Sequence, residues 1–255
     1  FLEIISATGS YEGVVDLQAL GVGISAVVIV DTEVPGSDGW SMFLALFLSL
    51  PSIQLGFGFT LTGVGGVAGV NRTLDPEALG AAVRTGALDA VLFPDDPIAE
   101  APAIIDTFAQ IFPPAPGQVV FGPVVRIGWG TPSLVEAVLG IVIALPDPVL
   151  LAVVGSVTAV LPTVDLDLVS IHLDVGGVID VTAGTLSVSA ALHDSSIVGF
   201  ALSGGMELRA DFGARPSFLL ALGGFHPGFK EVPPGFPDVA RLQLALTSNP
   251  LFNVS

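Results

Sequence analysis

The chain has no cysteine, only 7 lysines and arginines, 2 tryptophans and 1 tyrosine in 255 residues. Each shortage excludes something. Without cysteine there is neither a disulfide nor a thiolate metal site within the chain, and the redox compartment stays open. With 24 acidic residues the net charge is −17, which opposes electrostatic binding to nucleic acid or to an anionic membrane. Charged residues are 12% of the chain, about half the share of roughly 25% in ordinary soluble domains. Long apolar runs are missing too. Residues 40–50 and 148–161 are bounded by proline or charge, and both are shorter than the about 18 apolar residues of a spanning helix. Two Trp and one Tyr are too few for the aromatic girdles of an outer-membrane barrel.

What is present is apolar and turn-forming: hydrophobic residues are 51%, with 31 glycines and 20 prolines. That composition suits a folded chain with many tight turns. From Leu166 onward, apolar and polar residues alternate. Ile171, Leu173 and Val175 point one way, and Ser170, His172 and Asp174 the other. Phe200, Leu202, Met206, Leu208 and Phe212 likewise oppose Ser203, Glu207, Arg209 and Asp211. Period-two alternation predicts a sheet with one greasy and one wet face.

The rest of the chain divides into three stretches. Residues 1–63 read as strands at 13–30 (broken near Gly21 and Gly23), 41–50 and 53–61. In the last of these, Ile53, Leu55, Phe57, Phe59 and Leu61 share a face. A glycine-rich loop over 63–71 then leads into a helical insert at about 73–112. Thr73 or Asp75 can cap its first helix, Pro76 suits the first turn, and Pro113 and Pro114 stop it. Residues 87–93 are left as a short helix or a strand. Residues 118–161 form strands apolar on both faces, the pattern of strands buried on both sides, and are expected to supply a second layer for 166–247. Turns are expected at Gly176-Gly177 or Ala183-Gly184, at His193-Asp194-Ser195 and at 213–216. Strands follow at 218–225 and 241–247.

The fold class predicted is mainly β with a small helical insert. Its antiparallel meander sheets form a sandwich, an open barrel or a curved gutter. The domain expected is one β-rich module over 1–255. The chain starts at Phe1, without Met or a signal-peptide pattern, and reads as part of a longer polypeptide, extracellular or within an assembly.

Two stretches carry a resemblance. One is Gly63-Val64-Gly65-Gly66-Val67-Ala68-Gly69-Val70-Asn71-Arg72, continuing into Leu74-Asp75 and 87–94. The other is Gly223-Gly224-Phe225-His226-Pro227-Gly228-Phe229, with Phe121-Gly122-Pro123 and Ile127-Gly128-Trp129-Gly130 between. Together they resemble an uncharacterised domain of very large, β-rich bacterial and fungal proteins. The resemblance spans nearly the whole chain and implies a module of a giant polypeptide. It brings no activity, cofactor or catalytic residue.

Motifs of chemistry are weak. The glycines of 63–69 are followed late by a helix and sit in an antiparallel pattern without Gly-Lys-Ser/Thr, so a structural turn is favoured over a nucleotide loop. His172, His193 and His226 lack metal-ligand spacing. His172, beside Asp174, reads as a solvated strand residue. His193-Asp194-Ser195 has the residue types of a triad, but neighbours in one turn cannot take the triad's arrangement. Asp165, Asp167, Asp174 and Asp180 match no calcium loop, and Asp95 and Asp96 read as helix-capping charge. Phe225, Phe229 and Phe236 can cluster beside His226, ordering a long loop or contacting a partner. No cofactor or metal is expected.

The function predicted is a non-enzymatic structural or binding module of a large assembly, its partners other β-modules. The alternative is a lipid or apolar-ligand groove, and the third reading is a hydrolase with an acidic site. Open sheet edges predict association near residues 1–5 or 242–252.

Overall fold

A computed structural model describes residues 2–5, 9–19, 21–34, 39–130, 132–163, 166–213, 215–226, 228–245 and 253–254. Five strands come first: β1 (Leu2–Ile5), β2 (Ser10–Ala19), β3 (Val22–Asp31), β4 (Ser41–Gly56) and β5 (Phe59–Arg72). Three helices follow: α1 (Pro76–Thr85), α2 (Ala87–Val91) and α3 (Ala101–Ile111). The chain then returns to strands with β6 (Pro114–Trp129), β7 (Val135–Leu145), β8 (Leu150–Thr163), β9 (Leu166–Asp180) and β10 (Thr185–Ile197). It ends with β11 (Phe200–Asp211), β12 (Ser217–Leu222), β13 (Gln243–Ala245) and β14 (Asn253–Val254).

Among the described residues these strands form a single 14-stranded antiparallel sheet in chain order, with β12 pairing one end of β11 and β13 the other. Short turns make sequential strands neighbours, so the meander follows from the turn spacing. The strands at its two ends do not pair with each other, and the sheet is not closed into a barrel. The open arrangement is therefore the one realised. Residues 118–161 are not a second layer over 166–247. They lie in the same sheet, with β8 paired along its length to β9.

The insert sits where the sequence places it. Asp75 caps α1, accepting from the backbone N–H of Glu77 at 2.9 Å and Ala78 at 3.0 Å, and Gly86 ends the helix with φ 74°. Residues 87–93 open as helix α2, not a strand. Residues 97–100 are turn, and the third helix starts at Ala101. Leu79 and Val83 of α1 and Ile104, Ile105 and Phe108 of α3 are buried against the sheet. Phe43 of β4 stacks on Phe112, with ring centroids 4.7 Å apart, and meets Phe108 at 5.1 Å.

Three local expectations are corrected, and one pair of alternatives is resolved. The glycine-rich residues 63–71 are strand β5, not a loop. Their glycines are needed because neighbours press on the backbone: a Cβ on Gly65 would meet the Leu46 carbonyl at 2.5 Å, and one on Gly63 the Phe93 ring at 2.5 Å. Phe57 does not share a strand face with Phe59. It is in the β4–β5 turn, at φ 54°. His193-Asp194-Ser195 is a bulge within β10, not a turn, and the chain reverses at Val198-Gly199. Gly176 and Gly177 lie inside β9, and the turn is at Ala183-Gly184. Of the strand expected at 241–247, residues 243–245 are β13, and 246–247 lie outside the described residues.

The register fixes which side chains share a face. One row crosses eleven strands as Leu17, Ile24, Leu48, Val64, Val125, Leu139, Gly155, Val175, Ala190, Met206 and Leu222. The next on the same face contains Val15, Leu46, Pro123, Ile141, Val153, Val188 and Leu220. A third contains Val28, Leu44, Phe121, Ile143, Leu151, Ile179 and Phe218. This face turns away from the helices. The opposite face carries Val27, Phe43, Phe47, Val67, Val120, Val142, Ala152 and Val178 into the core under the insert.

The strands apolar on both faces are thus covered on one face only. Leu139 is 47% exposed, Ile141 48% and Val153 51%, while their neighbours Val138, Val142 and Val154 are buried. No described helix is long and apolar enough to cross a membrane, which says nothing of strands.

Candidate functional site

Two places stand out: the outer sheet face and a polar cleft under the insert. The outer face is unusual in extent. Its three rows hold no charged and no hydrogen-bonding side chain from β2 to β12. Apolar patches on monomers are mostly limited to about 300–600 Å². One strand-face position occupies about 32 Å², from a spacing of about 4.8 Å between strands and twice the rise per residue along them. Three rows over eleven strands therefore approach about 1,000 Å². A hollow of about 380 Å³ lies open on this face between Leu44, Leu46, Leu48 and the strand from Val64 to Ala68.

The inner face becomes polar beyond β7, and this reverses the expected sense of the alternation. The polar side chains of β9–β11 face the helices, and the apolar ones face outward. Asp174 and Glu207 have no exposed surface, and Ser156 and Ser189 are buried beside them. Such groups need partners, and the helices and neighbouring strands supply most of them, leaving Asp174 Oδ1 and His193 Nε2 without a hydrogen bond. Ser156 Oγ donates to Asp89 Oδ1 at 2.6 Å, and the Asp89 N–H donates to Asp174 Oδ2 at 3.2 Å. Ser189 Oγ donates to Glu207 Oε2 at 2.6 Å. Arg84 approaches the same carboxylate at 3.6 Å, and Arg209 Nε donates to Glu207 Oε1 at 2.6 Å. Arg209 also donates to both carboxylate oxygens of Glu77, tying β11 to the start of α1.

Beside this network is a cleft of about 560 Å³, lined by Asp89, Phe93, Asp95, Glu100, Arg126, Glu136, Ser156, Thr158, His172, His193 and Asp194. His193 Nε2 is 3.4 Å from Asp174 Oδ1, and the His172 and His193 rings are 5.8 Å apart. Burial raises the Asp174 carboxyl above its ordinary pKa. The His193 contact opposes that rise, and the charge of Asp89 adds to it. His172, on β9, is half-buried and lines the open cleft, with its Nδ1 3.1 Å from the Asp194 carbonyl. Ser195 Oγ is bonded to the backbone of His172 and His193, and Ser156 Oγ to a carboxylate. Neither hydroxyl is joined to an imidazole, so these residues supply no nucleophile–base pair.

Other candidate residues fall apart or take local roles. Asp180 accepts from the Ala183 N–H in the β9–β10 turn, and Asp96 from the Ala99 N–H before α3. Asp165 lies outside the described residues. Among the described residues no group of three His, Asp or Glu is placed to hold a metal ion.

Phe225, Phe229 and Phe236 do come together, with centroids 4.9 Å and 5.1 Å apart around Phe225. His226 orders this loop: its Nδ1 accepts from the Gly228 N–H at 3.0 Å and its carbonyl from the Phe229 N–H at 2.8 Å. Pro227 lies outside the described residues.

Sequence reasoning missed the Asp89–Asp174–His193 meeting because Asp89 reaches β9 from the insert, 85 residues away. Its signal was the paired polar positions on one face of β9 and β10.

No curated protein and no solved structure matches the chain. Residues 1–255 match a family of unknown function, DUF6603. The match covers every strand and the insert, and the chain belongs to that family.

Proposed function

We propose that the chain is a non-enzymatic binding module that docks an apolar protein layer on its outer sheet face, as one unit of a larger β-rich assembly. The observation that carries this reading is the uninterrupted outer face. Burying apolar area is worth about 25 cal/mol per Å², and a face of about 1,000 Å² is within the range one partner buries in a stable complex. The aromatic cluster of Phe225, Phe229 and Phe236 with His226 is a second point of contact at the end of the same sheet. The inner polar network serves to fix the insert to β8–β11.

A lipid or apolar-ligand carrier would use the same surface. Small-ligand sites enclose some 70–90% of their ligand, whereas the hollow between β4 and β5 lies open on the face, which favours a flat protein partner. The test is binding of an apolar fluorescent dye by dilute protein, together with organic extraction. The docking reading expects strong dye fluorescence that falls several-fold in Ile141→Glu/Val153→Glu, and no stoichiometric lipid in the extract. One lipid recovered per chain, or dye binding indifferent to those substitutions, contradicts it.

A further inference from the structure

We infer that the partner on the outer face is a second copy of this chain, the two sheets packing face to face about a two-fold axis; this rests on the docking reading above. The first argument is charge. With 24 acidic residues against 7 basic, almost any surface brought against its own copy sets like charges together. The outer rows are charge-free from β2 to β12, so self-contact there avoids that repulsion.

The second argument is area. Three rows over eleven strands offer about 1,000 Å² per copy, or about 2,000 Å² in a pair, against the about 1,200–2,000 Å² of a standard stable interface. Sheet twist limits the fit. Contact over only the middle half of the strands still gives about 1,000 Å² in total, the lower bound for a specific interface.

The third is relief. Gly66 lines an open hollow beside the projecting Leu46, and Leu139 and Val153 project farther along the same face. A face with both knobs and hollows can complement itself under two-fold symmetry, as two sheets pack at about 10 Å separation in a sandwich.

The experiment is sedimentation velocity over a hundredfold concentration range, on the wild type, on Ile141→Glu, and on Ile4→Pro in β1 at the sheet edge. The dye measurement is run on each. A concentration-dependent dimer that Ile141→Glu weakens at least tenfold and Ile4→Pro leaves intact supports the inference. A dimer lost in Ile4→Pro but kept in Ile141→Glu means edge pairing and overturns it. A wild type monomeric throughout also overturns it. If that monomer still binds dye through the outer face, docking of a different partner stands; if it binds none, both readings fall.

Discussion

Asp174 sits with no exposed surface between the Asp89 backbone and the His193 ring. Burial raises its pKa from the ordinary 3.8; His193 opposes this, the charge of Asp89 reinforces it, and the Asp89 N–H opposes it. The sign for stability follows. The folded chain holds this proton to higher pH than the unfolded chain, so the carboxyl's contribution is greatest below 3.8 and declines as pH rises through the folded value. Asp174→Asn keeps the size, an acceptor for the Asp89 N–H and a donor for His193, and it does not titrate. Its stability relative to wild type is expected to increase as pH goes from about 3 toward neutral, read by urea unfolding at several pH values. A difference independent of pH would contradict this. Arg72 shows the same economy of buried charge. It is 1% exposed, ion-paired with Asp31, and donates from Nη1 to the Phe112 carbonyl at 2.8 Å, so it ties the end of the insert to the sheet.

Elements show how far the sequence could be followed. Strand positions, the Asp75 cap and the proline stop after α3 were legible because local chemistry decides them. Which face of a strand is covered was not legible. Residues 119–128 and 135–145 alternate nothing, and periodicity cannot tell a strand buried on both sides from one whose second face is left open. In β9–β11 the alternation was clear but its sense was not: Asp174 and Glu207 looked wet and are buried on the side that carries the helices. The glycines of β5 read as a loop because close packing against Leu46 and Phe93 leaves no local signal.

The assignment of faces makes a sharp prediction for adjacent residues of β7. Val142→Asp puts an unpaired charge into the core and is expected to cost several kcal/mol, about 4 or more, and to prevent cooperative folding. Ile141→Asp, one residue away and 48% exposed, is expected to stay within about 1 kcal/mol of wild type when both are diluted below self-association. Thermal melts of the two variants decide it, and equal loss in both would contradict the assignment.

At the scale of the whole molecule, an open meander presents two edges, an insert side and an outer face. One edge falls where expected, at β1; at the other end the edge strands are β12 and β14, outside the expected stretch 242–252, of which 246–252 lie outside the described residues. Edges pair through backbone N–H and C=O groups and are blunted by charged side chains, whereas the outer face carries none in its three central rows. The concentration of so much apolar surface on one side, in a chain of net charge −17, is the feature from which both proposals grow.

The central claim is that this apolar side is outward and free to dock. Carbene footprinting read residue by residue by mass spectrometry, on protein diluted below any self-association, measures it directly. The account predicts heavy labelling of Leu139, Ile141, Leu151 and Val153 and little of Val138, Val142, Ala152 and Val154, with labelling of the first set falling as concentration rises. Protection of both sets at every dilution, or the reverse pattern, would contradict it.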